Sequence, residues 1–535
     1  MSSVPAEPSA LRDRAAPQSE LNLAERFLDR NITEGRGGRT ALITRDGVCT
    51  YAELATMSNR TGNALLALGV RRGDRVLLAL SDSVEFVAAW YAVQKIGAVT
   101  AEMYTFLTSS DYVYYLDYTA APVVIADATT LERLREAVGS SRTRPVLLVV
   151  DAAGADLRGG EHDFAALVTR QPAELDAVPA SSTDAAIWKF TTGSTGRPKA
   201  CVHAAHSALA SYEAYARGVL DIGASDVVLP VPKLFFGYAR DLAALFPFGA
   251  GGAGIVFAER STPELLFDLI ARHRPTLLVN VPTMMQAMLD HPSVADQDLS
   301  CLRLCTSAGE ALPEPLHRRW LDTFGVEVLD GIGSSEAYHI YISNRPGRVR
   351  IGSIGEVVPG YSAQVVDEAG TPLAAGQTGR LWIRGDTAAS AYWQDREQTE
   401  RTFAGDLVMS GDLAEWDGDG YFWYRGRADD LLKVGGIWVA PAEIERCLMT
   451  HPDVVECAVV GVERNGLTRS CAYVVIRPGA RVEAETLQRF AGERLAPHKR
   501  PREVRSVAEL PRTGSGKIDR RVLRDNAADD TPGGP

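Results

Sequence analysis

Residues Thr191 to Ala200 read TTGSTGRPKA and stand between an apolar run (Ala185, Ala186, Ile187, Trp188) and a helix-like segment. Seven of the first nine are Gly, Ser, Thr or Lys. A loop of that composition can aim backbone N–H groups, hydroxyls and an ammonium at a polyphosphate, and Gly193 and Gly196 allow close backbone approach. It is not a Walker A loop. Lys199 follows Pro198 and precedes Ala200, so GxxxxGK[ST] is not met and no P-loop fold is implied. Taken alone, the stretch reads equally well as a flexible Gly/Ser loop.

The chain around it has 535 residues, too many for one ordinary core, so two or more domains are expected. With 46% hydrophobic and 23% charged residues, the composition is that of a soluble globular protein without nucleic-acid or membrane partners. The net charge of −12 argues against both anionic surfaces, and any anionic ligand must be held by local donors. Seven cysteines without a CxxC pair read as reduced thiols of a cytoplasmic protein. Cys301 and Cys305 bound a strand-like CLRLC that would put both on one face. Residues 1–20 lack an apolar targeting core and read as a disordered tail. The uncharged run from Leu242 to Ala258 is broken by Pro247 and four glycines, so buried strand and turn fits better than a membrane span.

Along the chain, helical and strand periodicities alternate from Leu21 to about Tyr104 and continue through PVVIAD and PVLLVVD. After the loop come a probable helix, HSALASYEAYARGVL, and further βα alternation through TLLVNVPTMMQAML. Between Gly352 and Tyr424 short strands and turns replace the helices, and a smaller α+β unit follows. The fold class is therefore α/β: a large N-terminal domain of βα sheets with a β-rich subdomain, then a small α+β C-terminal domain.

Taken whole, TTGSTGRPKA resembles the phosphate-binding signature of the adenylate-forming superfamily of acyl-CoA synthetases, adenylation domains and luciferases. Five later segments match the same superfamily in the same order. The resemblance implies that Thr191, Thr192, Gly193, Ser194, Thr195, Gly196 and Lys199 bind the ATP phosphates. Ser307, Ala308, Gly309 and Glu310 (SAGE) would line the adenine side. Asp330, Gly331, Ile332, Gly333, Ser335 and Glu336 resemble the YGxTE motif, with Glu336 and Thr192 implied for Mg²⁺. Asp412 in SGDLAEWD matches the ribose-binding carboxylate, and Arg427 in GRADDLLKVGG a ribose or phosphate contact. Asp429 falls at the hinge, so domains are expected at 21–428 and 429–525, with a second tail at 526–535. Lys433 would act in the second half-reaction, with Gly435 and Gly436 passing a pantetheine arm. Lys517 in PRTGSGKIDR occupies the position of the adenylation lysine.

Among branches, KLFFGY with FPF, the run from Ser334 to Tyr361 and LLKVGGIWVAPAEIE resemble benzoate-type aryl-CoA ligases. That implies ATP, Mg²⁺ and CoA as cofactor and co-substrates and an aryl acid as substrate. Its pocket would be formed by Phe236, Gly237, Tyr238, Ser307, Ala308, Gly333, His339 and Ile340. Small residues at Gly237, Ala308 and Gly333 would leave room for a flat ring, and His339 would lie one helical turn past Glu336. Alternatives are an aryl-AMP ligase loading a carrier protein and a catalytically silent nucleotide binder. Three departures stand out: Lys189 where an apolar residue is usual, Ala200 in place of a common Gly, and Arg240-Asp241 where small or aliphatic residues are usual.

Overall fold

Short aliphatic runs such as Val123–Ala126 are buried along their whole length, as expected of strands covered on both faces. Each is followed by a helix that returns the chain for parallel pairing, so Val76 faces Val123 and Val123 faces Val146. The computed structural model describes residues 20–152, 154–192, 198–434, 437–464, 467–512 and 518–529. Gly193, Ser194, Thr195, Gly196, Gly435, Gly436 and Lys517 lie outside the described residues, as do the side chains of Thr192 and Lys433.

Among the described residues, two large sheets dominate, one of eight strands and one of nine. A shared core lies between them. It contains Val76 and Val123 of one sheet, Leu42 and Val228 of the other, and the inner residues of helices Tyr51–Ala67 and Val84–Lys95. Sequence fixes the start of the first helix: Glu53 N donates to the Thr50 side chain, and Thr50 N donates to the Glu53 carboxylate at 2.8 Å. The second is apolar nearly all round, consistent with its position between two sheets.

The expected β-rich subdomain is present as an antiparallel sheet that includes Ser362–Val366, Gly379–Arg384, Leu407–Trp416 and Phe422–Arg427. The C-terminal unit packs helices Pro441–Met449 and Arg520–Asp529 on strands Val454–Arg464 and Leu467–Ile476. Arg446 Nη1 donates to the Tyr424 carbonyl at 3.1 Å, linking the unit to the β-rich sheet.

Four local expectations change. The phosphate loop does not run directly from strand to helix. It joins Ala185–Thr192 (β1) to an antiparallel partner, Pro198–Ala204 (β2), and only then does a helix begin at Ala205. The apolar run from Leu242 begins as helix, in consecutive segments Asp241–Leu245 and Phe246–Ala250, before strand Ala253–Ile255. Cys301 lies in the turn before strand Leu304–Ser307, which holds only Cys305. The last helix runs to Asp529, into the stretch read as a tail, with Leu523 and Ala527 buried against the C-terminal sheet. Among the described residues, no helix is long and apolar enough to cross a membrane.

Candidate active site

The β1–β2 hairpin pairs Thr191 with Lys199 and Thr192 with Pro198 on either side of residues 193–197. Lys199 Nζ lies 3.5 Å from Asp395 Oδ2 and 5.4 Å from the centre of the Tyr392 ring. The same tyrosine donates its hydroxyl to Glu336 Oε1 at 2.8 Å. One side chain thus connects Lys199, the candidate phosphate ligand, and Glu336, the candidate metal ligand. Tyr392 is placed by strand Ala391–Tyr392, which pairs with β2. Neither Tyr392 nor Asp395 is signalled by sequence, because AYWQD reads as an ordinary turn.

At the adenine-side candidates, strand Leu304–Ser307 (β3) runs parallel to Val328–Gly333 (β4), with Ser307 opposite Asp330. SAGE and DGIG are therefore neighbours. Gly309 has φ +86°, where a side chain would be strained, and Glu310 is tied to Thr283 by a 2.7 Å bond from its hydroxyl. Burial pushes the Asp330 carboxyl well above its usual range.

β4 then doubles back onto Ile340–Ser343 (β5), with Gly333 opposite Ile340. No helix follows Glu336; the intervening residues form a turn in which Tyr338 has φ +71°. The expected helical relation between Glu336 and His339 is therefore incorrect. The HIYIS run satisfies its backbone in the sheet instead, as its β-branched and aromatic content favours.

Asp412 and Arg427 face each other across strands Leu407–Trp416 (β6) and Phe422–Arg427 (β7). Arg427 Nη1 is 3.1 Å from Asp412 Oδ1, and Nη2 is 3.7 Å from Asp429 Oδ2. A Cβ on Gly411 would come within 2.6 Å of the guanidinium, so glycine lets Arg427 lie across the strand.

The acyl-side candidates also converge. The Tyr238 hydroxyl is 2.6 Å from Thr306 Oγ1, and the ring centres of Tyr238 and Phe246 lie 5.7 and 5.1 Å from that of His339. Burial lowers the His339 pKa to about 3, so its ring is neutral. The expected reason for the small residues does not hold at two positions. A Cβ on Gly333 would lie 2.5 Å from the His339 carbonyl, and one on Gly237 would lie 2.7 Å from Lys189 Nζ. Protein atoms, not free space, require glycine there.

The lysine beside Gly237 belongs to a buried ionic network. Lys189 Nζ donates to Asp241 Oδ2 at 2.8 Å and to the Tyr338 carbonyl at 2.6 Å. Arg240 bonds Asp241 Oδ1 at 2.6 Å and also Glu102, whose Oε1 accepts from Trp90 Nε1 at 2.8 Å. Burial pushes the Asp241 carboxyl up, but Arg240 and Lys189 more than reverse this and hold it at about 2. Arg240 is itself buried, with its guanidinium bonded to Asp241 and Glu102.

The β1–β2 hairpin, the adjoining SAGE and DGIG strands and the Asp412–Arg427 pair, with a small α+β unit following, bring the motifs of an adenylate-forming enzyme into one fold. The chain belongs to the AMP-binding enzyme family: residues 28–393 match "AMP-binding enzyme" and residues 443–517 match "AMP-binding enzyme C-terminal domain". It is 40% identical to the benzoate–CoA ligase of Thauera aromatica over 94% of this chain and 95% of that protein. A solved benzoate CoA ligase from Burkholderia xenovorans LB400 is similar with a TM-score of 0.87 and 37% identity, covering 94% of this chain and all (100%) of that one. The anthranilate CoA ligase AuaEII, solved in complex with anthranoyl-AMP, gives a TM-score of 0.90 and 36% identity, covering 95% of this chain and 98% of its own.

Proposed function

We propose that the protein is an aryl acid:CoA ligase of the AMP-forming type, acting on benzoate or a small substituted benzoate. The observation that carries the reading is the neutral aromatic wall of Tyr238 and His339, set directly against the β3 strand that leads into SAGE. The names of the similar ligases, for benzoate and anthranilate, support the same acid class.

In the first half-reaction the acid's carboxylate attacks the α-phosphorus of ATP, releasing pyrophosphate and leaving aryl-AMP. Thr191 to Lys199 would cradle the phosphates, Asp412 and Arg427 would hold the ribose, and Lys517 would bring positive charge to the carboxylate and α-phosphate as charge develops. The residues fit Mg²⁺: Glu336 offers a hard oxygen donor with one oxygen already oriented by Tyr392, and Thr192 stands at the loop edge. When bound, the ion offsets charge on the phosphates. In the second half-reaction the CoA thiol attacks the aryl carbonyl and AMP leaves. Rotation of residues 429–525 about Asp429 would exchange the Lys517 loop for Lys433, Gly435 and Gly436 at the site. Transfer to a carrier protein instead of CoA is the second reading, since one aryl-AMP chemistry serves both acceptors.

ATP–pyrophosphate exchange across a panel of aryl and alkyl acids tests the reading. Exchange dependent on benzoates supports it, and exchange with alkanoates alone contradicts it. Tyr392→Phe is expected to remove the orienting bond to Glu336 and raise the Mg²⁺ concentration needed for half-maximal adenylation by roughly tenfold. Calorimetric titration of ATP at varied Mg²⁺ should show the same shift; an unchanged Mg²⁺ dependence in both assays would separate Tyr392 from the metal.

A further inference from the structure

Folding joins the two departures that sequence shows separately, Lys189 and Arg240-Asp241, into a single buried group. Lys189, Arg240, Asp241 and Glu102 supply two cations and two anions in direct contact, so the group carries no net charge. It gives no reason to draw a second carboxylate, yet it leaves a polar atom at an aromatic site. The Lys189 ammonium occupies the place of a side chain on Gly237, between Phe236 and Tyr238 on the proposed acyl side. Two of its three N–H groups have oxygen acceptors, Asp241 Oδ2 and the Tyr338 carbonyl. Among the described residues, the third has only the Tyr338 ring, whose centre is 3.5 Å away. Burial lowers the Lys189 pKa to about 8, so the ammonium still predominates at neutral pH.

An unsubstituted ring pressed against this ammonium would exclude water and offer no acceptor, whereas a ring oxygen would supply one. We propose that Lys189 determines which aryl acid is used: its ammonium forms the polar end of the acyl pocket, and the preferred acids carry a ring hydroxyl that accepts a hydrogen bond from it. This rests on the aryl-CoA ligase reading and narrows its substrate. Lys189 acts on binding selectivity and takes no part in bond making.

The test compares kcat/KM for thioester formation with benzoate, each hydroxybenzoate and the matching methylbenzoate, which has nearly the same shape. In the wild type, the best hydroxybenzoate is expected to exceed its methyl counterpart by about 10- to 100-fold, the range for a hydrogen bond to a charged group. Lys189→Met combined with Asp241→Asn removes one charge of each sign and leaves Arg240 paired with Glu102. That variant should bring the ratio to within about threefold, whereas a structural role alone would lower both substrates together. A wild-type ratio near one, or a ratio unchanged in a variant that retains cooperative melting, overturns the assignment. The wild-type ratio alone can do so even if the variant does not fold. A wild type that ligates no aryl acid overturns the aryl-CoA ligase reading as well, whereas ligation without this preference overturns the role of Lys189 alone.

Discussion

Lys517→Ala is expected to reduce aryl-AMP formation by on the order of 10²- to 10³-fold, the usual cost of losing one charge-stabilising donor at a developing transition state. The same variant should convert supplied aryl-AMP to the CoA thioester at close to the wild-type rate. The division follows from the proposed alternation: Lys433, in strand Leu432–Val434, and Lys517 are far apart in the C-terminal sequence, and rotation about Asp429 would present one of them at a time. Pyrophosphate release in the first half-reaction and thioester absorbance in the second separate the two effects. Equal damage to both would contradict alternation.

Asp241→Ala should produce the largest loss of stability. The Asp241 side chain is 0% exposed and that of Lys189 6%. Truncation would leave Lys189 and Arg240 sharing Glu102 as their one buried counter-ion. Removing one member of a buried ion pair typically costs about 3–5 kcal/mol, because the remaining charge has lost both its partner and its water. Lys189→Met with Asp241→Asn should cost less than Asp241→Ala alone, since it removes charge in balance. Denaturant unfolding, followed through its first transition, measures both. A double variant less stable than the single alanine variant would show that the network is held by something other than charge balance.

The large-scale reading was legible because it depends on local chemistry. The buried aliphatic strands and the change to short strands after Gly352 each indicate their own conformation. The motifs SAGE, SGD and GRADD could be assigned to one site because their order matches a known family, and the fold brings Ser307 beside Asp330 and Asp412 beside Arg427. What sequence did not show depends on partners distant in the chain. Tyr392 meets Glu336 across 56 positions, and Lys189 meets Asp241 across 52. No periodicity records such contacts. The glycines illustrate the same limit: by sequence Gly237 and Gly333 read as space for a ring, but the atoms that a side chain there would meet come from Lys189 and His339. Its spacing from Glu336 allows His339 a helical position, but the chain bends there and β5 begins at Ile340, paired with Gly333.

The most direct test of the account is kcat/KM for CoA-thioester formation with ATP, comparing benzoates with medium-chain alkanoates. The account predicts that benzoates exceed alkanoates, with AMP and pyrophosphate as products. Alkanoates exceeding benzoates would contradict it.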